Sequence, residues 1–186
     1  GLSFGFGEST FNLSGDVHYG AEPQISMMIT SPYIDSKDIV DLMTLDNQKK
    51  KSDRAPHFHV NTNLLVDTGK FNDIDFKKLD AKFKYASDIV DIEKLEARVF
   101  DGDIKAKGKV AVQSDGQNHY EANIVVDQIS LQKIQRSLDM GERMVSGTLS
   151  LQGDVSFTGA GLDDFEKTLE GTVYLHAGNG VLKKFS

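Results

Sequence analysis

The alternation over residues 104–113 constrains the fold of this chain more than any other feature. Ile104, Ala106, Gly108, Val110 and Val112 fall on one side of an extended segment. Lys105, Lys107, Lys109 and Gln113 fall on the other, with Ala111 the one mild exception. Successive side chains of a strand point to opposite faces of its sheet, so a period of two describes a strand with one dry and one wet face. A turn follows at Ser114-Asp115-Gly116, and Tyr120, Ala122, Ile124 and Val126 return with the same period. A short helix through Leu131, Ile134 and Leu138 comes next. The spacing predicts a hairpin-plus-helix unit, which the rest of the chain repeats.

Gly1 to Gly7, with Phe4 and Phe6 alternating, reads as a first edge strand or a loose tail. From Thr10, residues Phe11, Leu13, Gly15, Val17 and Tyr19 alternate with Asn12, Ser14, Asp16 and His18. Gly20-Ala21-Glu22-Pro23 turns the chain, Ile25, Met27 and Ile29 carry it back, and Pro32 is expected to end that strand. Asp35 or Ser36 is placed to cap a short helix with Ile39, Leu42 and Met43 on its apolar side and Leu45 at its end. The polar run at 46–56 reads as a linker; its Lys49-Lys50-Lys51 and Arg54 suit a solvated loop better than a headgroup contact.

Beyond the linker, Phe58, Val60, Thr62, Leu64 and Val66 predict another strand, with a shorter one through Phe71, Asp73 and Asp75. Leu79, Ala81, Phe83 and Tyr85 predict the next, and two short pieces are expected at 89–95 and 97–100. Asp101-Gly102 is a tight-turn signal. Leu149, Leu151, Gly153, Val155 and Phe157 alternate with Ser150, Gln152, Asp154 and Ser156. A third helix is expected over Leu162–Leu169. A last hairpin is expected through Val173 and Leu175, turning at Gly178-Asn179-Gly180 into Val181-Leu182.

The unit repeats. Leu13-Ser14-Gly15-Asp16-Val17 corresponds to Ala106-Lys107-Gly108-Lys109-Val110 and to Leu151-Gln152-Gly153-Asp154-Val155. A glycine on the apolar side of a strand marks a bend or a close backbone approach. Its recurrence at matched positions predicts a sheet curved the same way in each unit.

Composition narrows the function. A net charge of −7 argues against nucleic acid, whose phosphates need a basic surface. The chain has no cysteine, which removes disulfides and thiol nucleophiles and leaves the compartment open. No apolar run approaches the ~18–20 residues that cross a bilayer, and no signal peptide is visible. Gly1 in place of a methionine, and an end at Lys184-Phe185-Ser186 just after a strand, suggest an excised fragment, which leaves room for a membrane anchor outside it.

The sequence has no G-x-S-x-G elbow, Walker loop, H-E-x-x-H or G-x-G-x-x-G between strand and helix. His57 and His59 would share a strand face and could begin a zinc site, but only if His18, His119 or His176 converged with a carboxylate. Histidines on a wet face beside a linker are the simpler reading, and a metal-dependent hydrolase built on them is the weakest alternative. Asp101/Asp103 and Asp163/Asp164 suit turns and a helix start better than an acid/base pair. The aromatics Phe11, Tyr19, Phe58, Phe83, Tyr85, Phe100 and Phe157 lie mainly on the dry side, as core or as the lining of an apolar groove. A one-sided sheet must cover its dry face. Rolling the sheet, stacking a neighbouring repeat, or acyl chains would each do so.

Leu95-Glu96-Ala97-Arg98-Val99-Phe100-Asp101-Gly102-Asp103-Ile104, then Gly108-Lys109-Val110, then Ile129-Ser130-Leu131, resembles the C-terminal region of AsmA-like proteins. So does the order of Gly147–Gly153, Gly159-Ala160-Gly161-Leu162, Leu169–Val173 and Gly178-Asn179-Gly180-Val181. The resemblance covers about residues 60–186, with 9–45 as a preceding copy. The Lys-rich linker departs from the pattern.

This resemblance implies a periplasmic part of an inner-membrane-anchored envelope protein of a Gram-negative bacterium. It further implies a β-sheet groove that shields phospholipid or another acyl lipid in outer-membrane biogenesis, with no catalytic residue, metal or cofactor to carry over. The expected fold is mainly β: a curved antiparallel sheet of repeated hairpins with one apolar face and about three short amphipathic helices. Its expected parts are a hairpin-helix repeat at 1–45, the linker 46–56 and a β region at 57–186, with 57–186 and 1–45 able to share one sheet. Leu13, Val17, Phe83, Ile104, Val110, Ile124, Leu151 and Val155 are the expected lipid-contacting residues. A structural or protein-interaction β module in envelope assembly, pairing through its sheet edges with envelope proteins or with itself, is the alternative.

Overall fold

A computed structural model of the chain describes residues 1–39, 41, 58–113, 116–137, 145–160 and 164–182. Ten strands run in chain order: β1 (Leu2–Phe6), β2 (Ser9–His18), β3 (Gln24–Asp35), β4 (His59–Phe71), β5 (Ile74–Ala86), β6 (Ile89–Val99), β7 (Gly102–Ala111), β8 (Asn118–Ser130), β9 (Val145–Gly159) and β10 (Glu170–Leu182). They form one sheet whose spatial order is the chain order, and β1 and β10 are its two edges, so the sheet is not closed.

Period-two alternation explains why each segment is a strand, and short turns explain why neighbours in sequence are neighbours in space. Asn72-Asp73, Ser87-Asp88 and Phe100-Asp101 each join two strands. Asn72, Ser87, Asp88, Phe100 and Asp101 all have positive φ. That is the handedness two-residue hairpins need.

One pair breaks the antiparallel pattern expected throughout. β3 and β4 are parallel, Ile25 facing Val60 and Ile34 facing Gly69. Parallel neighbours need a long connection to bring the chain back to the same end. Residues 36–58 supply it, and His59 N enters the sheet by donating to Pro23 O at 2.9 Å.

Two helices are complete among the described residues, not three: α1 (Leu131–Ser137) and the four-residue α2 (Phe165–Thr168). Residues 36–39 and 41 are also helical, but Leu42, Met43 and Leu45, expected to continue that helix, lie outside the described residues. So do the linker 46–56, Leu138, Leu162, and the Ser114-Asp115 part of the expected turn. Gly116 is described and closes that turn, its N–H donating to Gln113 O at 3.0 Å.

Further boundaries differ from the expectation, each for a local reason. Pro32 does not end β3, because the ladder to β2 stops at Thr30 and beyond it β3 has only β4 beside it. A one-sided strand tolerates a residue without an N–H. Asn72-Asp73 is a turn rather than strand. Residues 89–99 form one strand, interrupted by a bulge rather than a break. The tight turn sits at Phe100-Asp101, one residue earlier than expected. Gly178-Asn179-Gly180 is a bulge within β10, which continues along β9 to pair Leu182 with Val145.

The matched glycines have matched surroundings. A Cβ on Gly15 would lie 2.2 Å from Ser26 O, on Gly108 2.3 Å from Glu121 O, and on Gly153 2.5 Å from Thr172 O. In each case the obstructing carbonyl belongs to the residue just before the cross-strand partner. Only glycine permits that approach, so the sequence repeat is a repeat of one backbone packing.

Few side chains are sealed. Among the described residues, Phe11, Ile34, Val66, Ala81, Val99, Ile129 and Phe157 are the buried hydrophobic ones. Phe11, Ile34 and Val66 form a cluster against which Ile39 packs. Ser9 anchors that helical turn: its N–H and Oγ both donate to Asp38 Oδ2, at 2.9 and 2.6 Å. Its Oγ also accepts from Asp35 N at 2.9 Å.

Candidate functional site

Directly opposed residues on adjacent strands share a face, so the registers can be followed across the sheet. One row runs Leu2, Leu13, Ile29, Leu64, Ala81, Leu95, Ala106, Ile124, Gly153, Val173. It crosses all ten strands without a polar side chain. Only Ala81 and Gly153 in it are buried, and Leu2 and Val173 at the edges are 63% and 44% exposed. Four residues further along the strands, a second row runs from Val17 and Ile25 through Val60, Tyr85, Val90, Val110 and Tyr120 to Phe157. Between them lies a row in which Thr62 is the one polar member.

The opposite side reads Asp16, Ser26, Asn61, Lys84, Asp91, Lys109, Glu121, Ser156, Glu170 in register. Opposite charges alternate along it. Glu93 bridges Lys84 and Lys82, and these hydrogen bonds, Lys84's first, hold its carboxyl below the usual range. Lys94 contacts Asp80 at 2.7 Å and Glu96 at 3.3 Å, and its ammonium is held above the usual range by those bonds. Such exposed pairs keep the side soluble and add little to stability.

The eight residues singled out in the sequence fall in four rows, two to a row. Leu13 and Ile124 share the ten-strand row, and Val17 and Val110 the aromatic-rich one. Phe83 and Val155 share the row between, and Ile104 and Leu151 face Val126 from either side. None of the eight is buried, and Val17 is 47% exposed.

Sequence reasoning did not anticipate how deep this side becomes near α1. There a cavity of about 540 Å³ is lined almost wholly by carbon, from Phe71, Ile74 and Phe76 to Phe100, Ile104 and Ile129, with Ile134 of α1 among its walls. Asp101 holds the helix in place, accepting from Lys133 Nζ at 2.6 Å, and Ser130 N donates to Phe100 O at 2.9 Å. The Lys133 hydrogen bond keeps the Asp101 carboxyl below its usual range.

The signal for that cavity is present in the chain as apolar–polar–polar–apolar steps. Phe76-Lys77-Lys78-Leu79, Ile92-Glu93-Lys94-Leu95 and Val126-Asp127-Gln128-Ile129 each coincide with a register shift. A bulge adds one residue, so two polar neighbours turn outward together and the apolar alternation resumes in phase.

The histidines do not converge with one another among the described residues. His57 and Asp163 lie outside the described residues; His59 Nε2 pairs with Glu22 at 3.2 Å, His18 with Asp16, and His119 with Glu121. Among the described residues no three histidine, aspartate or glutamate side chains are grouped to hold a metal ion. Asp101 sits in a hairpin turn and Asp103 just beyond it, where Asp103 Oδ1 lies 3.8 Å from Arg98 Nε. Among the described residues no helix is long and apolar enough to cross a membrane.

No family model matches the chain, and no curated protein or solved structure is significantly similar to it.

Proposed function

We propose that this chain is a non-enzymatic lipid-handling module whose sheet presents one curved apolar face to the acyl chains of phospholipid. The observation that carries the reading is the ten-strand row from Leu2 to Val173, apolar throughout and largely unsealed. At ~4.8 Å between strands the row spans about 43 Å, and several rows make a face on the order of 1,000 Å². Soluble monomers rarely leave more than a few hundred Å² of contiguous apolar surface without a partner. An acyl chain reaches about half of the ~30 Å bilayer core, so the face has room for several.

The recurring glycines support curvature: a neighbouring backbone that comes within van der Waals reach of the missing Cβ bends the sheet toward the apolar side. The resemblance to AsmA-like proteins supports reading the module as a periplasmic part of an inner-membrane-anchored protein that shields or transfers phospholipid in outer-membrane biogenesis. Native mass spectrometry of gently purified protein tests the proposal. It should retain phospholipid; a lipid-free spectrum, together with no uptake of a fluorescent acyl probe, contradicts the proposal.

A second reading, a protein-interaction module, is favoured by the β10 edge. Strands at an edge are usually blunted by lysine, proline or shortness. β10 has thirteen residues and neither lysine nor proline, and Tyr174 and Leu175 are 73% and 66% exposed. Sedimentation across a concentration series separates an edge-paired dimer from a monomer.

A further inference from the structure

Where α1 meets the end of the sheet, two concavities share a wall. One is the carbon-lined cavity beneath Ile134. The other is a cleft of about 730 Å³, and Phe100 and Ser137 line both. Along β5 the residues alternate between them, Ile74 and Phe76 lining the cavity, Asp75 and Lys77 the cleft.

The cleft carries Lys77, Lys78, Arg98, Lys133 and Arg136 against Asp73, Asp75 and Asp101. Lys133 is taken up by Asp101, and Arg98 lies near Asp103 and donates to Asp101 O at 3.4 Å. Lys77, Lys78 and Arg136 make no ion pair among the described residues. In a chain of net charge −7, a cleft whose five cations outnumber its three carboxylates lies directly beside an apolar cavity.

The geometry points to an amphiphile site at this end: Lys77, Lys78 and Arg136 hold a phosphate, and the attached acyl chains pass over Phe100 into the cavity. The inference rests on the lipid-handling reading and adds to it the headgroup chemistry and the place where it is read. Phosphate accepts charge-assisted hydrogen bonds from ammonium and guanidinium groups. Asp73 and Asp75 disfavour a bare polyanion in the same cleft, so a singly charged phosphodiester suits it best. The matching chemistry is a phosphate, whether on a lipid or free, and the test separates the two.

Titration calorimetry of the chain compares dioctanoyl phosphatidylglycerol, dioctanoylglycerol and inorganic phosphate. The phospholipid should bind tightest, and a Lys77→Ala, Arg136→Ala variant should weaken it by roughly fivefold per cation removed while leaving dioctanoylglycerol unchanged. Both side chains are exposed, so the fold is expected to survive, and a Lys77→Gln, Arg136→Gln variant should show the same loss. Equal binding of the two acyl ligands, unaffected by either variant, overturns the headgroup site and leaves the shielding face standing. Inorganic phosphate binding as tightly as the phospholipid overturns the amphiphile in favour of a free-phosphate site. If neither acyl ligand binds, both readings fall.

Discussion

Tyr120 and Phe157 face each other directly across β8 and β9, their ring centroids 4.2 Å apart and their planes 5° from parallel. Phe157 is buried and Tyr120 half-buried, so the pair seals the apolar side at the end of the sheet opposite α1. Phe157→Ala should destabilise the chain by about 3 kcal/mol in urea unfolding. A double-mutant cycle with Tyr120→Leu should show a coupling of about 0.5–1.5 kcal/mol. Additive effects would mean that the stacking contributes nothing beyond its area.

The close approach at the matched glycines makes a sharp contrast with open ones. A Cβ on Gly108 would sit 2.3 Å from a backbone oxygen, whereas one on Gly20 meets nothing within 4 Å. Gly108→Ala should therefore cost about 1–3 kcal/mol, and Gly20→Ala should be neutral within about 0.5 kcal/mol. Equal effects at the two sites would remove the structural meaning of the repeat.

Acid should loosen the wet face before it touches the apolar rows. Glu93 titrates below its ordinary value of 4.5 because Lys84 and Lys82 hydrogen-bond its charged form. A carboxyl depressed in the folded state adds stability that is complete above the ordinary value and lost as pH falls through the lower, folded one. Asp101, depressed by Lys133, behaves the same way. Stability should thus decline as pH falls below the ordinary carboxylate range, and Glu93→Gln should flatten part of that decline. A profile unchanged by Glu93→Gln would show that the bridge is not formed in solution.

Much of this architecture was legible because alternation is a direct consequence of strand geometry. The faces of β2, β7 and β9, of β5 from Leu79 onward and of β8 as far as Val126 follow from period two alone, and the eight residues chosen from sequence fall on four rows. Pairing partners are less legible where the connection is long. Nothing in the alternation of Ile25, Met27 and Ile29 says that β4 lies beside them in parallel, since that depends on the crossover at 36–58. Bulges also obscure the pattern: Glu93-Lys94 interrupts the alternation, and 89–95 and 97–100 read as two short pieces where a single strand carries one extra residue. Phe100 with positive φ is a further case, because such a residue carries no turn signature and the turn is expected one residue later, at Asp101-Gly102.

The β10 edge makes its own prediction. Leu175→Lys puts a charge on β10 at a residue that is 66% exposed, which should reduce any concentration-dependent association seen by sedimentation. Leu2→Lys on the five-residue β1 should change it far less. Equal effects at the two edges would argue that neither selects a partner.

The most direct test of the shielding face is where an acyl chain touches the protein. A phospholipid with a photoreactive group on its acyl chain, irradiated with the chain and mapped by peptide mass spectrometry, should label the row that includes Leu64, Leu95 and Ile124. It should spare the opposite side at Lys105, Lys107 and Lys109. Labelling spread evenly over both sides, or confined to the lysine side, would contradict the account.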